Sequence, residues 1–177
     1  MAYTAELALF LLLIIPLAAA AIIPLVGTKP NVREGVTFVA GVLLLLNVIG
    51  LISMVSAGER PELHLFTFAG NFDVRLKLEP LGAIFAAIAS SLWILNSLFT
   101  LGYMRGNNEK NQTRFFAFVA IAIFGAMGIA ASANLITLFI FYEALTISTF
   151  PLVTHKGDAK ARKGGRIYIG ILMATSL

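Results

Sequence analysis

Residues 115–154 read FFAFVAIAIFGAMGIAASANLITLFIFYEALTISTFPLVT, forty residues that carry one charge, Glu143. As a single helix this stretch would be about 60 Å long, twice the roughly 30 Å hydrocarbon core of a bilayer. The polar triplet Ser132–Ala133–Asn134 sits near its midpoint. The stretch therefore predicts a helical hairpin, with one crossing over 115–131 and a second over 135–154.

Three more uncharged runs of membrane length precede it, at 7–28, 35–58 and 80–104. Pro80 stands at a helix-starting position, and Glu79 just ahead of it suits the positive end of a helix dipole. A sixth run, 167–177, is apolar to its last residue, but eleven residues make only about 16 Å of helix. The expectation is an all-α polytopic membrane protein: five complete transmembrane helices plus an incomplete sixth, one membrane domain over 1–177, and a natural chain that continues past Leu177. Composition agrees. Hydrophobic residues make up 59% and charged residues 12% of the chain, where soluble domains carry roughly 25% charged residues. The mean hydropathy is +0.90. A cleaved signal peptide fits 7–28 poorly, because the segment before it has Glu6 and no Lys or Arg.

Lys and Arg divide unequally between the two sides. Segments 29–34, 105–114 and 155–166 hold two, three and five of them, whereas 59–79 holds three and the N-terminus none. Ten against three predicts an outside N-terminus and cytoplasmic basic segments. The one long connection, 59–79, alternates Phe72, Val74, Leu76 and Leu78 with Asp73, Arg75, Lys77 and Glu79, which is strand periodicity. With Gly70–Asn71 as its turn signal and Leu63–Ala69 ahead, it predicts a short β-hairpin on the outer membrane surface.

Glu143 is the residue that carries chemistry. It is ninth in the fifth run, where burying a carboxylate costs roughly 2.5–3.5 kcal/mol on insertion scales. Such a group is protonated, paired with a cation, or turned to water inside a bundle. Held between desolvation and a nearby lysine it can load and release protons, and the alternative is a buried Glu that only holds helices together. Thr146 lies one turn on, and His155 closes the helix beside a basic segment. Together they make a possible polar pathway. Thr137, Ser148 and Thr149 read as packing or backbone-bonding groups, and Asn47 and Asn96 as interhelical hydrogen bonders. Pro151 frees the carbonyl of Ile147 and predicts a kinked helix end. Gly128 and Ser132 have the small-xxx-small spacing of close helix contact.

Several functions are excluded. The chain has no cysteine, so thiolate-bound clusters, Cys-containing zinc sites and disulfides are out. His64 and His155 are far apart in topology with no carboxylate cluster at ligand spacing, so no metal site is expected. There is no phosphate loop or dinucleotide fingerprint, hence no cofactor, and no nucleophile constellation. A scattered charge of +4 does not suggest nucleic acid. The basic run Lys156, Lys160, Arg162, Lys163, Arg166 is a topology signal, or a docking surface for anionic lipid or a partner subunit.

The segments LEPLGAIFAAIASSLWILNSLFTLGYM, RFFAF, ANLITLFIFYEALTISTFPLV and ARKGGRIYIG resemble the antiporter-like subunits shared by Mrp-type cation/proton antiporters, respiratory complex I and membrane-bound hydrogenases. The resemblance runs from about Glu79 to Leu177. Its most specific piece is an aromatic residue, Glu and a Ser/Thr-rich turn, here Phe141 to Thr146, and FYEALTISTFPLVTHKGD is most similar to the D-type Mrp subunit. The resemblance implies a fourteen-helix subunit with two inverted five-helix repeats, in which Glu143 matches a fifth-helix glutamate paired with a lysine on the seventh helix. It implies other membrane subunits as partners, a place in the cell membrane, and protons, with or without Na⁺, as cargo. Enzymatic activity would be at most that of one component in a translocating oxidoreductase. Two features depart from the pattern: Glu79 stands where the family commonly has Asp, and the sequence stops before the seventh helix. A structural membrane subunit with no conduction of its own is the alternative.

Overall fold

The computed structural model describes residues 4–68 and 72–176, and in them the chain forms six helices and one β-hairpin. Helices α1 (Ala5–Leu25), α2 (Pro30–Ser56), α3 (Pro80–Gly106), α4 (Gln112–Ala130) and α5 (Leu135–Val153) are each long and apolar enough to cross a membrane. The protein is an all-α, multi-pass membrane protein, with the five crossings where the hydropathy put them. Hydrocarbon offers the backbone no hydrogen-bond partner, so unbroken helix is the form such runs take. Local signals set the starts. The Thr4 hydroxyl accepts from the Leu7 N–H, Pro80 opens α3, and the Asn134 side chain accepts from the Thr137 N–H at 2.8 Å.

Two boundaries differ from expectation. Helix α2 begins at Pro30, not at residue 35, so Arg33 and Glu34 sit in its first turns instead of a loop, and both are buried. Proline is pre-shaped for the first helical position, and both charges find partners there. Likewise α6 (Ala159–Ser176) starts inside the segment read as a loop. Asp158 Oδ1 accepts from the Ala161 N–H at 2.6 Å, an N-cap that puts Lys160, Arg162, Lys163 and Arg166 on the helix. Pro151 lies inside α5, which runs to Val153, in line with the expected crossing over 135–154.

Helices α1 to α4 close a ring: α1 packs on α2 and α4, and α3 packs on α2 and α4. Leu9, Leu12, Ile23, Leu44, Leu51, Trp93 and Met127 fill its centre. Helix α5 is added outside this ring against α4, and α6 packs on α5. The α4–α5 seam depends on glycine. A Cβ at Gly128 would overlap the Phe141 ring, and one at Gly125 would lie 3.0 Å from the Leu145 backbone. Gly128 is thus a close-contact residue as its spacing suggested. Ser132 lies beyond the helix and donates back to the Gly128 carbonyl at 2.7 Å.

The hairpin pairs β1 (Glu62–Phe68) with β2 (Phe72–Lys77) antiparallel, with an irregularity between His64 and Phe66. Its turn signal, Gly70–Asn71, lies outside the described residues. The alternation behaves as expected on the inward side, where Val74, Leu76 and Leu78 are buried. What the sequence did not show is the docking. The free edge of β2 bonds to the α4–α5 turn through Lys77 N–H to Ala131 carbonyl at 2.7 Å and Ala133 N–H to Arg75 carbonyl at 3.1 Å. The Arg75 N–H also donates to Thr137 Oγ1, and Asn134 Nδ2 to the Asp73 carbonyl.

The tightest backbone approach is at Gly82, where a Cβ would overlap the Ala130 carbonyl oxygen. At Gly102 a Cβ would meet nothing within 4 Å. Gly82→Ala should therefore cost at least the roughly 1–3 kcal/mol typical of overpacking, whereas Gly102→Ala should be neutral or mildly stabilising. Thermal unfolding of the detergent-solubilised protein checks this, and equal melting temperatures for the two variants would contradict the packing.

Candidate functional site

Glu143 stands on α5, nine residues into the helix and ten before its end. Its Oε1 is buried and has no hydrogen-bond partner among the described residues. Helical geometry places it on the stripe of α5 that also carries Phe150 and Thr154, seven and eleven residues on. That stripe faces α6, since a Cβ at Gly165 would meet Thr154 and the Phe150 ring. Phe141, two residues earlier, points the other way, onto Gly128. So α4 holds the helix from behind while the carboxyl faces the α6 side. A carboxylate held alone at that depth is costly, so a polar group or cation on that face would stabilise it.

Thr146 is Glu143's neighbour one turn on and is buried. The other hydroxyls of this helix bond to the backbone, Ser148 to the Leu145 carbonyl and Thr149 to the Thr146 carbonyl, both at 2.7 Å. Asn47 behaves as expected and donates across to the Ala8 carbonyl on α1 at 3.0 Å. Asn96 does not. It is exposed and makes no side-chain hydrogen bond among the described residues, because it faces a cavity and not a neighbouring helix.

That cavity, of about 400 Å³, lies between the ends of α3 and α5 and brings together Asn96, Thr100, Tyr103, Glu109, His155 and Lys156. His155 packs edge-on against Phe115, with ring centroids 5.3 Å apart, and both ring nitrogens are buried without partners among the described residues. Burial holds its pKa below the usual histidine value. The nearby Arg114 guanidinium pushes the same way, and Glu109 opposes them. Asn96 is about 15 Å of helix from the Gly106 end of α3, a depth like that of Glu143 on α5. Glu143 is not on the cavity's lining. The structure thus groups Glu143 with Thr146 and sets His155 about 18 Å away along the helix axis.

A second charged cluster escaped the sequence reading. Arg33 donates to Glu34 Oε1 at 3.1 Å, to Gln112 Oε1 at 2.8 Å and to Thr113 Oγ1 at 3.1 Å, and its guanidinium lies over the Phe116 ring, 5.2 Å from the centroid. Arg105 clasps Glu34 through both carboxylate oxygens, at 3.1 and 2.5 Å. Two guanidiniums on one carboxylate tie α2, α3 and α4 together at the basic end. Only the adjacency of Arg33 and Glu34 just after Pro30 hinted at it.

With this geometry in view, known proteins give the context. No family model matches the chain. It is 25% identical over 123 residues to NAD(P)H-quinone oxidoreductase subunit 5 from the organellar chromatophore of Paulinella chromatophora, covering 63% of this chain and 18% of that one. It is 29% identical over 94 residues to the A1 subunit of a Na⁺/H⁺ antiporter from Staphylococcus aureus, covering 53% and 11%. Its homologues are thus the fifth subunit of quinone oxidoreductases and the A-type component of Mrp antiporters. The staphylococcal relative is of the A type, where the fifth-helix pattern suggested the D type. In fold, the chain superposes on the Mrp complex of Dietzia sp. with a TM-score of 0.81 at 19% identity, over 98% of this chain and 33% of that one. A membrane-bound sulfane sulfur reductase, an archaeal respiratory membrane complex, gives 0.80 at 19%, over 97% and 35%. The chain therefore spans about a third of the solved chains and under a fifth of the curated relatives.

His155 gives a pH test of the cavity. With His64→Asn as background, histidine-selective NMR of the solubilised protein should show one ring titrating below pH 6.5. Arg114→Gln should move the midpoint up and Glu109→Gln should move it down. The linked stability runs the same way: folding is unaffected above pH 6.5 and is weakened as pH falls through that value, because the unfolded ring takes up its proton first.

Proposed function

We propose that this chain is the N-terminal part of an antiporter-like subunit that moves protons, with or without exchange for Na⁺, inside a multi-subunit complex of the cell membrane, and that Glu143 is its proton relay. The observation that carries the reading is a buried carboxyl oxygen without a partner among the described residues, midway along a membrane helix, in a chain homologous to a Na⁺/H⁺ antiporter component. A cation approaching the α6 side of α5 favours the carboxylate, and its withdrawal favours the neutral acid, so movement of that cation loads and unloads a proton. The resemblance implies that the cation is a lysine of a later helix. Thr146 extends the polar stripe, and the His155 cavity forms the mouth on the basic side. The excess of Lys and Arg supports a cytoplasmic basic side and an outside N-terminus.

A second reading, a subunit that only completes an assembly, draws on the backbone-bonded hydroxyls of Ser148 and Thr149 and on the absence of Glu143 from the cavity wall. Glu143→Gln separates the two, since it keeps shape and hydrogen bonding but removes the titratable proton. In proteoliposomes of the assembled complex, Gln should reduce coupled transport by at least the roughly hundredfold typical of lost acid–base groups, and Asp should retain part of it. Full transport by an assembled Gln variant would end the relay reading. Orientation is tested separately, on a chain that has no native cysteine. Glu59→Cys should react with an impermeant maleimide from outside intact cells, and Lys110→Cys only after permeabilisation.

A further inference from the structure

We propose that the start of α2 is a seat for one anionic diacyl phospholipid, with its phosphate in a basic pocket and one acyl chain on each side of the helix. The pocket, about 600 Å³, opens between the start of α2 and the α3–α4 turn, and its polar wall is Lys29, Asn31, Arg105, Asn108 and Gln112. Its charge is set by the buried cluster. Arg33 and Arg105 share the single carboxylate of Glu34, and Lys29 has no side-chain partner among the described residues. Three cations against one anion leave two positive charges at the level of lipid headgroups. Basic pockets between helix ends are where anionic headgroups bind. Arg105 remains 45% exposed while its partner Glu34 is 5% exposed, so the guanidinium presents donors outward.

Two apolar grooves run from this pocket into the membrane. One, about 590 Å³, lies between α1 and α2 along Ile14, Ile22, Val36, Val39 and Leu43, and it shares Val32 with the basic pocket. The other, about 420 Å³, lies between α2 and α3 along Phe38, Leu98, Leu101 and Phe116, and it shares Asn31 and Arg105 with that pocket. The ridge between the grooves is Gly35, which lines both, and a Cβ there would meet nothing within 4 Å. At a glycine the helix narrows to its backbone, whose Cα atoms lie about 2.3 Å from the axis. Two chains leaving one glycerol can pass on either side of it. A free phosphate ion would use the pocket alone, and a partner helix would fill one groove without needing the charge. Only a two-tailed anionic lipid uses all three spaces.

The test is lipid binding by the full protein, purified with its associated subunits from native membranes and analysed by native mass spectrometry. Added phosphatidylglycerol should bind in preference to phosphatidylcholine. Lys29→Gln should weaken the phosphatidylglycerol adduct roughly fivefold, the effect of one basic residue at a membrane surface. Gly35→Leu, whose Cβ would meet no atom within 4 Å, should weaken it at least as much, and Gly102→Leu on α3 should not. Inorganic phosphate that displaces the adduct together with an inert Gly35→Leu would overturn the proposal in favour of a simple anion site. A benzophenone side chain at Val39 should crosslink to phospholipid in membranes. Crosslinking to another protein instead would show that a protein helix occupies the groove.

Discussion

The backbone contact between α4 and α5 at Gly125 and Gly128 fixes everything on the Glu143 side of the molecule. With Phe141 seated on Gly128 and the Leu145 backbone against Gly125, α5 has one permitted rotation about its own axis. That rotation turns position 143 away from α4, toward the stripe that meets α6. Any larger residue on α4 would push the helices apart and release the constraint, because apolar attraction between helices is weak in lipid and close van der Waals approach must replace it. The hairpin reinforces the seam at its far end. Its bonds to Ala131, Ala133 and Thr137 satisfy turn groups that would otherwise face the membrane boundary unpaired.

Hydropathy is a strong signal because the bilayer allows few alternatives, and five helices could be placed from uncharged runs alone. Glu143 was equally legible, as one charge in forty residues stands out in any reading. Other features resisted for specific physical reasons. Arg33 and Glu34 looked like loop charges because nothing nearby in sequence reveals that Gln112, Thr113 and Arg105 close over them. The first turns of α6 looked like a loop because five cations suggested solvent, while the Asp158 cap that starts the helix is a single residue. Asn96 read as an interhelical bonder by residue type, but helix rotation decides whether an amide meets a neighbour or a cavity. In each case the missing information was tertiary.

The two polar regions on the basic side differ in kind. The Arg33–Glu34–Arg105 cluster is densely bonded across three helices, although Arg33 Nε is buried with no partner among the described residues, and such bonding suits a fixed joint. Around His155 the opposite holds: buried ring nitrogens, an exposed Asn96 and a cavity leave polar atoms unsatisfied. Glu143 belongs to this second kind. Unmatched polar groups are the ones able to change partners, and here Asn96 lies on α3, Glu143 on α5 and His155 just past the end of α5.

The closure of the ring by α1 on α4 also bears on how the chain is made. Leu25 ends α1 and Gln112 begins α4, so the ribosome must add more than eighty residues before the two can meet. At about 5–20 residues per second, α1 waits some seconds in the membrane with α2 as its one neighbour from the ring until α3 and α4 arrive. Glu34 waits as well, since Arg33 is present at once but Arg105 follows 71 positions later. During that interval the adjacent arginine is the glutamate's one cation, and the pair enters the membrane boundary close to neutral. A chain with Glu34 but without Arg33 would have to hold an uncompensated carboxylate there until α3 had been synthesised.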